Sequence, residues 1–79
     1  MAFEVRLPPL GEDAPDAAEI SFWYVEEGEA VEEGQDMVEM VTDKAAFTLP
    51  APASGIVRAI VAGEGETVKV GQLLAVVED

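Results

Sequence analysis

The sequence lacks cysteine and histidine altogether, and only four of its 79 residues are lysine or arginine. Without cysteine the polypeptide forms neither a disulfide nor a thiolate nucleophile. Without histidine it lacks the most common general base and metal ligand. No apolar run approaches the roughly 20 residues of a membrane helix. No basic and apolar signal segment opens the chain.

The acidic residues, by contrast, number 17 and give a net charge of −13. Such a surface repels phosphate backbones and anionic lipids, so neither nucleic acid nor a membrane is an expected partner. The acidity serves solubility, docking onto basic partner enzymes, or both. Hydrophobic residues make up 49% of the chain, which is too apolar for disorder. Residues 1–79 are expected to form one small domain.

Strand signals dominate the chain, because valine, isoleucine and phenylalanine are frequent and glycine interrupts them at short intervals. The predicted strands are Phe3–Leu7, Glu19–Val25, Met37–Val41, Ala45–Leu49, Gly55–Val61 and Leu73–Val77. Shorter extended pieces are expected near Val31 and Val68, and Pro8–Ala18 is expected to be a surface loop. This pattern predicts an all-β sandwich or flattened barrel.

An internal repeat divides the chain in two. The sequence "GEAVEEGQ" begins at Gly28, and "GETVKVGQ" begins 37 residues later at Gly65. The repeated glycines bracket tight turns, where a positive φ costs glycine nothing. Two copies that each expose an apolar face are best buried against each other, which predicts a two-fold pseudosymmetric sandwich. The expected core positions are Ile20, Trp23, Val25, Val57, Ile60, Leu74 and Val76.

One lysine, Lys44, lies in "TDKA" between the strand-like runs "VEMV" and "AFTL". A lysine in a turn is by default a solvated charge. Here, however, the surroundings are acidic, the flanking strands fix the position of the turn, and no other residue offers chemistry. The sequence has no catalytic triad pattern, zinc-ligand cluster or glycine-rich phosphate loop. A primary amine on a flexible stem is suited to accept and carry a covalent group.

The motifs together resemble a known family over essentially the whole chain. They are "LPPLGED", "WYVEEGEAVEEGQ", "VTDKA", "PAPASGIV" and "GETVKVGQLLAVVED". The chain resembles the lipoyl domains of 2-oxo acid dehydrogenase complexes, within the biotinyl/lipoyl attachment family. The attachment signature of that family is a lysine preceded by aspartate at the tip of a β-turn, which corresponds here to Asp43-Lys44-Ala45.

The resemblance implies a flattened β-barrel of two four-stranded sheets, with lipoate joined to Lys44 through an amide by a lipoate ligase or transferase. It further implies a substrate carrier that is not itself an enzyme. Its partners would be a thiamine-diphosphate-dependent decarboxylase, an acyltransferase core and the flavoenzyme dihydrolipoamide dehydrogenase. The domain would be part of, or a partner to, a dihydrolipoamide acyltransferase. We expect it in the bacterial cytoplasm, or in the mitochondrial matrix if the source is eukaryotic.

Further site residues follow from the same resemblance. Asp43, Ala45 and Glu39 are expected to guide modification, although Val41 replaces a glutamate that the family often has before its Thr-Asp-Lys. The loop Leu10–Ala17 is expected to lie beside the turn and to affect partner recognition. Its docking residues would be Gly11, Glu12, Asp13 and Asp16.

Three alternatives stay open from the sequence. A biotin carrier domain shares the fold, but its signature has methionine on both sides of the lysine, where this chain has Asp43 and Ala45. A glycine-cleavage carrier shares the lipoyl chemistry but is longer, with added helical segments. An unmodified structural or assembly module would leave Lys44 an ordinary turn residue.

Overall fold

The protein consists of β-strands and connecting turns; a computed structural model describes all residues 1–79 and contains no helix. The strands are β1 (Ala2–Arg6), β2 (Ala17–Trp23), β3 (Ala30–Val31), β4 (Asp36–Val41), β5 (Ala46–Pro50), β6 (Gly55–Ile60), β7 (Thr67–Lys69) and β8 (Leu73–Glu78). Every predicted strand is present, with its ends within two residues of the prediction. No segment forms a helix capable of crossing a bilayer.

Two four-stranded antiparallel sheets face each other, with strand orders β1-β8-β6-β3 and β5-β4-β2-β7. Between them lie 17 buried residues, all of them apolar, and no polar or charged residue is buried. Such a core is stabilised by the removal of apolar surface from water without the cost of desolvating a charge. The predicted fold class, a sandwich of two four-stranded sheets, is confirmed.

The two copies of the internal repeat make the same contact between the sheets, each starting from the opposite sheet. Gly28 donates its N–H to the carbonyl oxygen of Val57 at 2.7 Å, and Gly65 donates to that of Ile20 at 2.8 Å. Both glycines have a positive φ, +89° and +86°, which a side chain would make costly. Each donor and each acceptor is 37 residues from its counterpart, so the two half-domains repeat the same contact with the roles of the sheets reversed.

Two of the acidic residues are part of this repeated framework. The Glu27 carboxylate accepts a hydrogen bond from the Ile60 N–H at 2.8 Å. At the equivalent place in the other half, the Glu64 carboxylate accepts one from the Trp23 N–H at 3.3 Å. Each carboxylate links its turn to the facing sheet, so these acids contribute to the fold as well as to the net charge.

The expected core was wrong at Val76, which is half-buried, whereas Val77 is fully buried. In a regular strand Leu74 and Val76, two residues apart, would face the same side. In the structure Leu74 and Ala75 both face the core, and the pairing of β8 with β1 shifts register at this point. Such a bulge inserts one residue and inverts the alternation beyond it. Trp23 and Ile60 are only partly buried and pack against the edge of the core.

The predicted loop Pro8–Ala18 ends two residues earlier than expected. Ala17 and Ala18 already belong to β2, because they pair with Lys69 and Val68 of the short strand β7. Alanine is a poor strand former by itself, so this extension depends on the neighbouring strand.

The two ends of the chain meet where the repeat would place a second hairpin. The Asp79 N–H donates to the Met1 carbonyl at 3.1 Å, and the Thr42 N–H donates to the Ala45 carbonyl at 2.8 Å in the equivalent position. A hydrogen bond between the Met1 amine and the Asp79 carboxylate raises the pKa of the amine and lowers that of the carboxyl. β8 runs away from the β1–β2 connection, which lies beside the β4–β5 turn. The chain ends therefore lie at the opposite end of the domain from Lys44.

Candidate functional site

The β4–β5 hairpin places Lys44 at the tip of a two-residue turn. Val41 pairs with Ala46 at the end of the ladder, and the Thr42 N–H donates to the Ala45 carbonyl at 2.8 Å. Asp43 and Lys44 are the only residues beyond that bond. Neither has a positive φ, so the turn is not one of the primed types that usually close such hairpins.

The side chain of Thr42 adds further hydrogen bonds across the turn. Its hydroxyl oxygen accepts hydrogen bonds from the N–H groups of Lys44 at 3.2 Å and Ala45 at 3.1 Å. Threonine hydroxyls commonly cap turns in this way. Our sequence reasoning missed Thr42, although a threonine two residues before the turn lysine in "VTDKA" was the available signal.

The Lys44 side chain is exposed and forms no salt bridge. Both arginines, in contrast, are paired: Arg6 with Glu4 at 3.0 Å and Arg58 with Glu78 at 3.1 Å. The ammonium group of Lys44 is therefore accessible to a modifying enzyme, with no carboxylate partner to be displaced first.

The three residues expected to guide modification are not equally close to Lys44. Asp43 and Ala45 flank it in the turn, and both are exposed. Glu39 lies in the sheet, paired with Phe22 on one side and Thr48 on the other. It is three residues before the start of the turn, which corresponds to roughly 10 Å along a strand. Glu39 therefore lies farther along the hairpin from the acceptor amine than Asp43 and Ala45 do.

The β1–β2 connection lies beside the turn, as the resemblance implied. Gly11 has φ +124°, a conformation that favours glycine, and its carbonyl accepts a hydrogen bond from the Ala14 N–H at 3.3 Å. The resulting turn carries Glu12 and Asp13 on its exposed side, and Asp16 is exposed where the loop joins β2. The loop that carries the four predicted docking residues lies at the Lys44 end of the domain, where its Leu10, Ala14 and Pro15 line a groove together with Lys44.

Two shallow grooves flank the turn, one on each side of Thr42. The first is lined by Leu10, Ala14, Pro15, Thr42, Lys44, Ala45 and Phe47. The second is lined by Ala17, Ala18, Glu19, Val41, Thr42, Asp43 and Thr67. Sequence reasoning did not identify Leu10 or Phe47, since a single apolar residue in a loop or strand gives no local signal of a groove.

This end of the domain presents the Lys44 amine among exposed carboxylates. No ionisable side chain in the domain is buried, and no group of three or more acidic residues is arranged to hold a metal ion. The geometry can present Lys44 to another protein on a turn whose shape is fixed by Thr42.

Comparison with known proteins places this geometry in a family. A model of the biotin/lipoyl family, described as biotin-requiring enzyme, matches residues 3–77. The chain belongs to the biotinyl/lipoyl attachment family. This lipoyl-type domain is 41% identical over 78 residues to the dihydrolipoyllysine-residue succinyltransferase component of the 2-oxoglutarate dehydrogenase complex of Bartonella vinsonii subsp. berkhoffii. It is 36% identical over 78 residues to the dihydrolipoyllysine-residue acetyltransferase component of the pyruvate dehydrogenase complex of Staphylococcus aureus.

The matches cover 99% of this lipoyl-type domain but only 19% and 18% of those two relatives. The chain therefore spans less than a fifth of the length of these relatives. Among solved structures, the lipoyl domain of the 2-oxoglutarate dehydrogenase complex of Azotobacter vinelandii superimposes with a TM-score of 0.78 at 30% identity, over 96% of this chain and 95% of that one. The resemblance to lipoyl domains is confirmed.

A second solved structure shares the fold alone. The urea carboxylase of Kluyveromyces lactis matches with a TM-score of 0.71 at 24% identity, over 94% of the lipoyl-type domain and 7% of the carboxylase.

Proposed function

We propose that the domain carries lipoate as an amide on Lys44 and presents it to successive active sites of a 2-oxo acid dehydrogenase complex. The observation that supports this most strongly is the placement of Lys44. It is the exposed, unpaired cation at the tip of a turn that Thr42 holds closed. A covalent carrier needs such an amine, and it needs little else from the polypeptide.

The residues at this end fit an acyl arm. The Lys44 amine would hold it, Thr42 would keep the turn in one shape, and the exposed side chains of Asp43 and Ala45 leave the amine accessible from both flanks. When bound, lipoate supplies a dithiolane whose sulfurs carry acyl groups and electrons. This complements a chain that has no cysteine and no buried acid or base of its own.

The proposal extends to the partners of the carrier. They would be a lipoate ligase or transferase, a thiamine-diphosphate-dependent decarboxylase, an acyltransferase core and dihydrolipoamide dehydrogenase. The names of the relatives support an acyltransferase component as the larger setting of the domain. We further propose the bacterial cytoplasm, or the mitochondrial matrix, as its location.

A pair of lysine variants tests the attachment. Lys44→Arg keeps the charge and removes the acceptor amine. Lys69→Arg is the matched control, since Lys69 is also exposed but lies in strand β7, where its backbone pairs with Ala17 of β2. After incubation with lipoate ligase and lipoate, intact mass is measured. We expect the wild type and Lys69→Arg to gain one lipoyl group and Lys44→Arg to gain none. Lipoylation of Lys44→Arg would refute the assignment.

Incubation with biotin ligase and biotin, run in parallel, addresses the rival cofactor. The methionine nearest before the turn, Met40, is fully buried in β4 and does not flank Lys44. We therefore expect no gain of biotin mass, and a gain of biotin without lipoate would favour the biotin carrier.

A further inference from the structure

The groove beside Lys44 has a different chemical character from the groove on the other side of the turn. Lys44 lines the first and Asp43 lines the second, so consecutive residues of the turn border opposite sides. The first groove contains no carboxylate. Apart from Thr42 and Lys44, its walls are hydrocarbon side chains: Leu10, Ala14, Pro15, Ala45 and Phe47. The second contains the carboxylates of Glu19 and Asp43.

The apolar groove has firm walls on two sides. Leu10, from the β1–β2 connection, and Phe47, from β5, both pack against the core while remaining partly exposed. Apolar side chains held in this way offer surface to a ligand without having to leave the core. In a domain with 17 acidic residues, a carboxylate-free groove next to an exposed amine is a place where an apolar chain can be removed from water.

The internal repeat shows that the fold does not require this groove. The connection between β1 and β2 comprises residues 7–16, whereas the equivalent connection between β5 and β6 comprises only residues 51–54. The short connection closes the same architecture in the other half of the domain. The additional residues of the longer one include Leu10, Ala14 and Pro15, which form the wall opposite Phe47.

We propose that this groove is a docking site for the acyl arm carried by Lys44, in which the hydrocarbon chain folds back between Leu10 and Phe47. The inference rests on the proposed acylation of Lys44. A chain tethered at the rim of a groove needs only weak affinity to occupy it, because its effective concentration there is in the millimolar range. The groove volume of about 280 Å³ lies just below the range of pockets that enclose a small ligand, which suits a short chain contacted on one side. Docked, the arm has the side that faces the groove removed from water; released, it reaches a partner enzyme.

An octanoyl group on Lys44 is the probe. It is attached by lipoate ligase or, if the ligase does not accept the domain, by an activated octanoyl ester on the Lys69→Arg variant, in which Lys44 is the only lysine. The acylated species are separated by chromatography, and peptide mass mapping identifies the one acylated at Lys44. Failure of the ligase would therefore count against the proposed function, while the docking of the arm is tested on the octanoyl protein however it was made.

Nuclear magnetic resonance of the octanoyl protein gives a readout that does not depend on activity. We expect chemical-shift changes at Leu10, Ala14 and Phe47, with nuclear Overhauser contacts from the octanoyl methylenes to the Phe47 ring. Residues of the second groove, such as Thr67, should not shift. Changes confined to the turn itself would overturn the proposal, because they would describe an arm that remains in solvent.

A matched pair of variants places one carboxylate in each groove. Ala14→Glu puts a charge where the arm is proposed to lie, and Thr67→Glu puts one in the other groove on the edge strand β7. Their amide spectra report whether each remains folded. We expect Ala14→Glu to reduce the Phe47 shift change about two-fold or more, as for an arm docked half as often, and Thr67→Glu to leave it unchanged. Equal effects of the two charges would refute a specific site.

Discussion

Replacing Thr42 by valine should slow lipoylation while leaving Lys44 in the chain. The substitution keeps the branched shape of the side chain and removes the hydroxyl that accepts hydrogen bonds from the N–H groups of Lys44 and Ala45. The turn then retains only the single backbone bond from the Thr42 N–H to the Ala45 carbonyl. Lys44 should consequently sample orientations that a ligase does not accept.

The magnitude follows from the environment of the lost bonds. The hydroxyl accepts two and donates a third, longer one to the Ala45 carbonyl at 3.3 Å. That carbonyl keeps its bond from the Thr42 N–H, so only the two accepted bonds are counted. A hydrogen bond contributes about 0.5–1.5 kcal/mol net. Both N–H groups lie in an exposed turn where water can replace the hydroxyl, so we take the low end and expect about 1 kcal/mol for the pair. That corresponds to roughly a five-fold change in the population of the closed turn. Lipoylation should slow by about the same factor, and the melting temperature should fall by about 4–8 °C.

Initial rates of lipoylation, followed by intact mass, and thermal unfolding measure the two effects. Thr42→Ser retains the hydroxyl and should behave nearly as wild type. Thr48→Val is the matched control, because Thr48 lies in β5 of the same hairpin, is half-buried like Thr42 and makes no side-chain hydrogen bond. If Thr42→Val were lipoylated at the wild-type rate, the hydroxyl would not be what holds the turn in its acceptor shape.

Three further predictions concern the turn, the charge and the packing. Moving the lysine by one place, as Asp43→Lys or Ala45→Lys in a Lys44→Ala background, should nearly abolish lipoylation, as measured by intact mass, and leave the circular dichroism spectrum unchanged. Efficient modification of either variant would show that exposure of the amine suffices. Neutralising the loop acids should slow reductive acylation by the cognate decarboxylase about three- to ten-fold at low salt. The same change in control acids should slow it less, because these lie at the opposite end of the domain and their side chains form no hydrogen bond. Equal slowing would show that the acidic residues serve solubility and not docking. The loop acids are Glu12, Asp13 and Asp16, and the controls are Glu32, Glu33 and Asp36. Gly55→Ala should destabilise the domain by about 1–3 kcal/mol in thermal unfolding, because the added Cβ would lie 2.5 Å from the Glu78 carbonyl oxygen. In the control Gly63→Ala the added Cβ meets only the Glu66 carboxylate at 3.4 Å, so the loss of stability should be smaller. Equal losses would contradict this reasoning.

Much of the fold could be predicted because its determinants are local. The repeated glycines at Gly28 and Gly65 mark turns that need a positive φ, and both have one. The two copies of the repeat, each with an apolar face, indicated two facing sheets related by pseudosymmetry. The core assignment failed at Val76, since a bulge depends on the pairing of β8 with β1, which local sequence does not reveal.

The sequence by itself determined that Lys44 lies at a turn, because the strand signals on both sides of "TDKA" and the turn preference of its polar residues act within a few residues of chain. Even the missed hydroxyl of Thr42 was present in that local pattern. Only the tertiary structure decided what surrounds the amine. Leu10 and Phe47 come from distant parts of the chain, and they meet beside Lys44 because both sheets bury their inner faces in one core, a contact set by long-range packing and not by any preference of the residues involved.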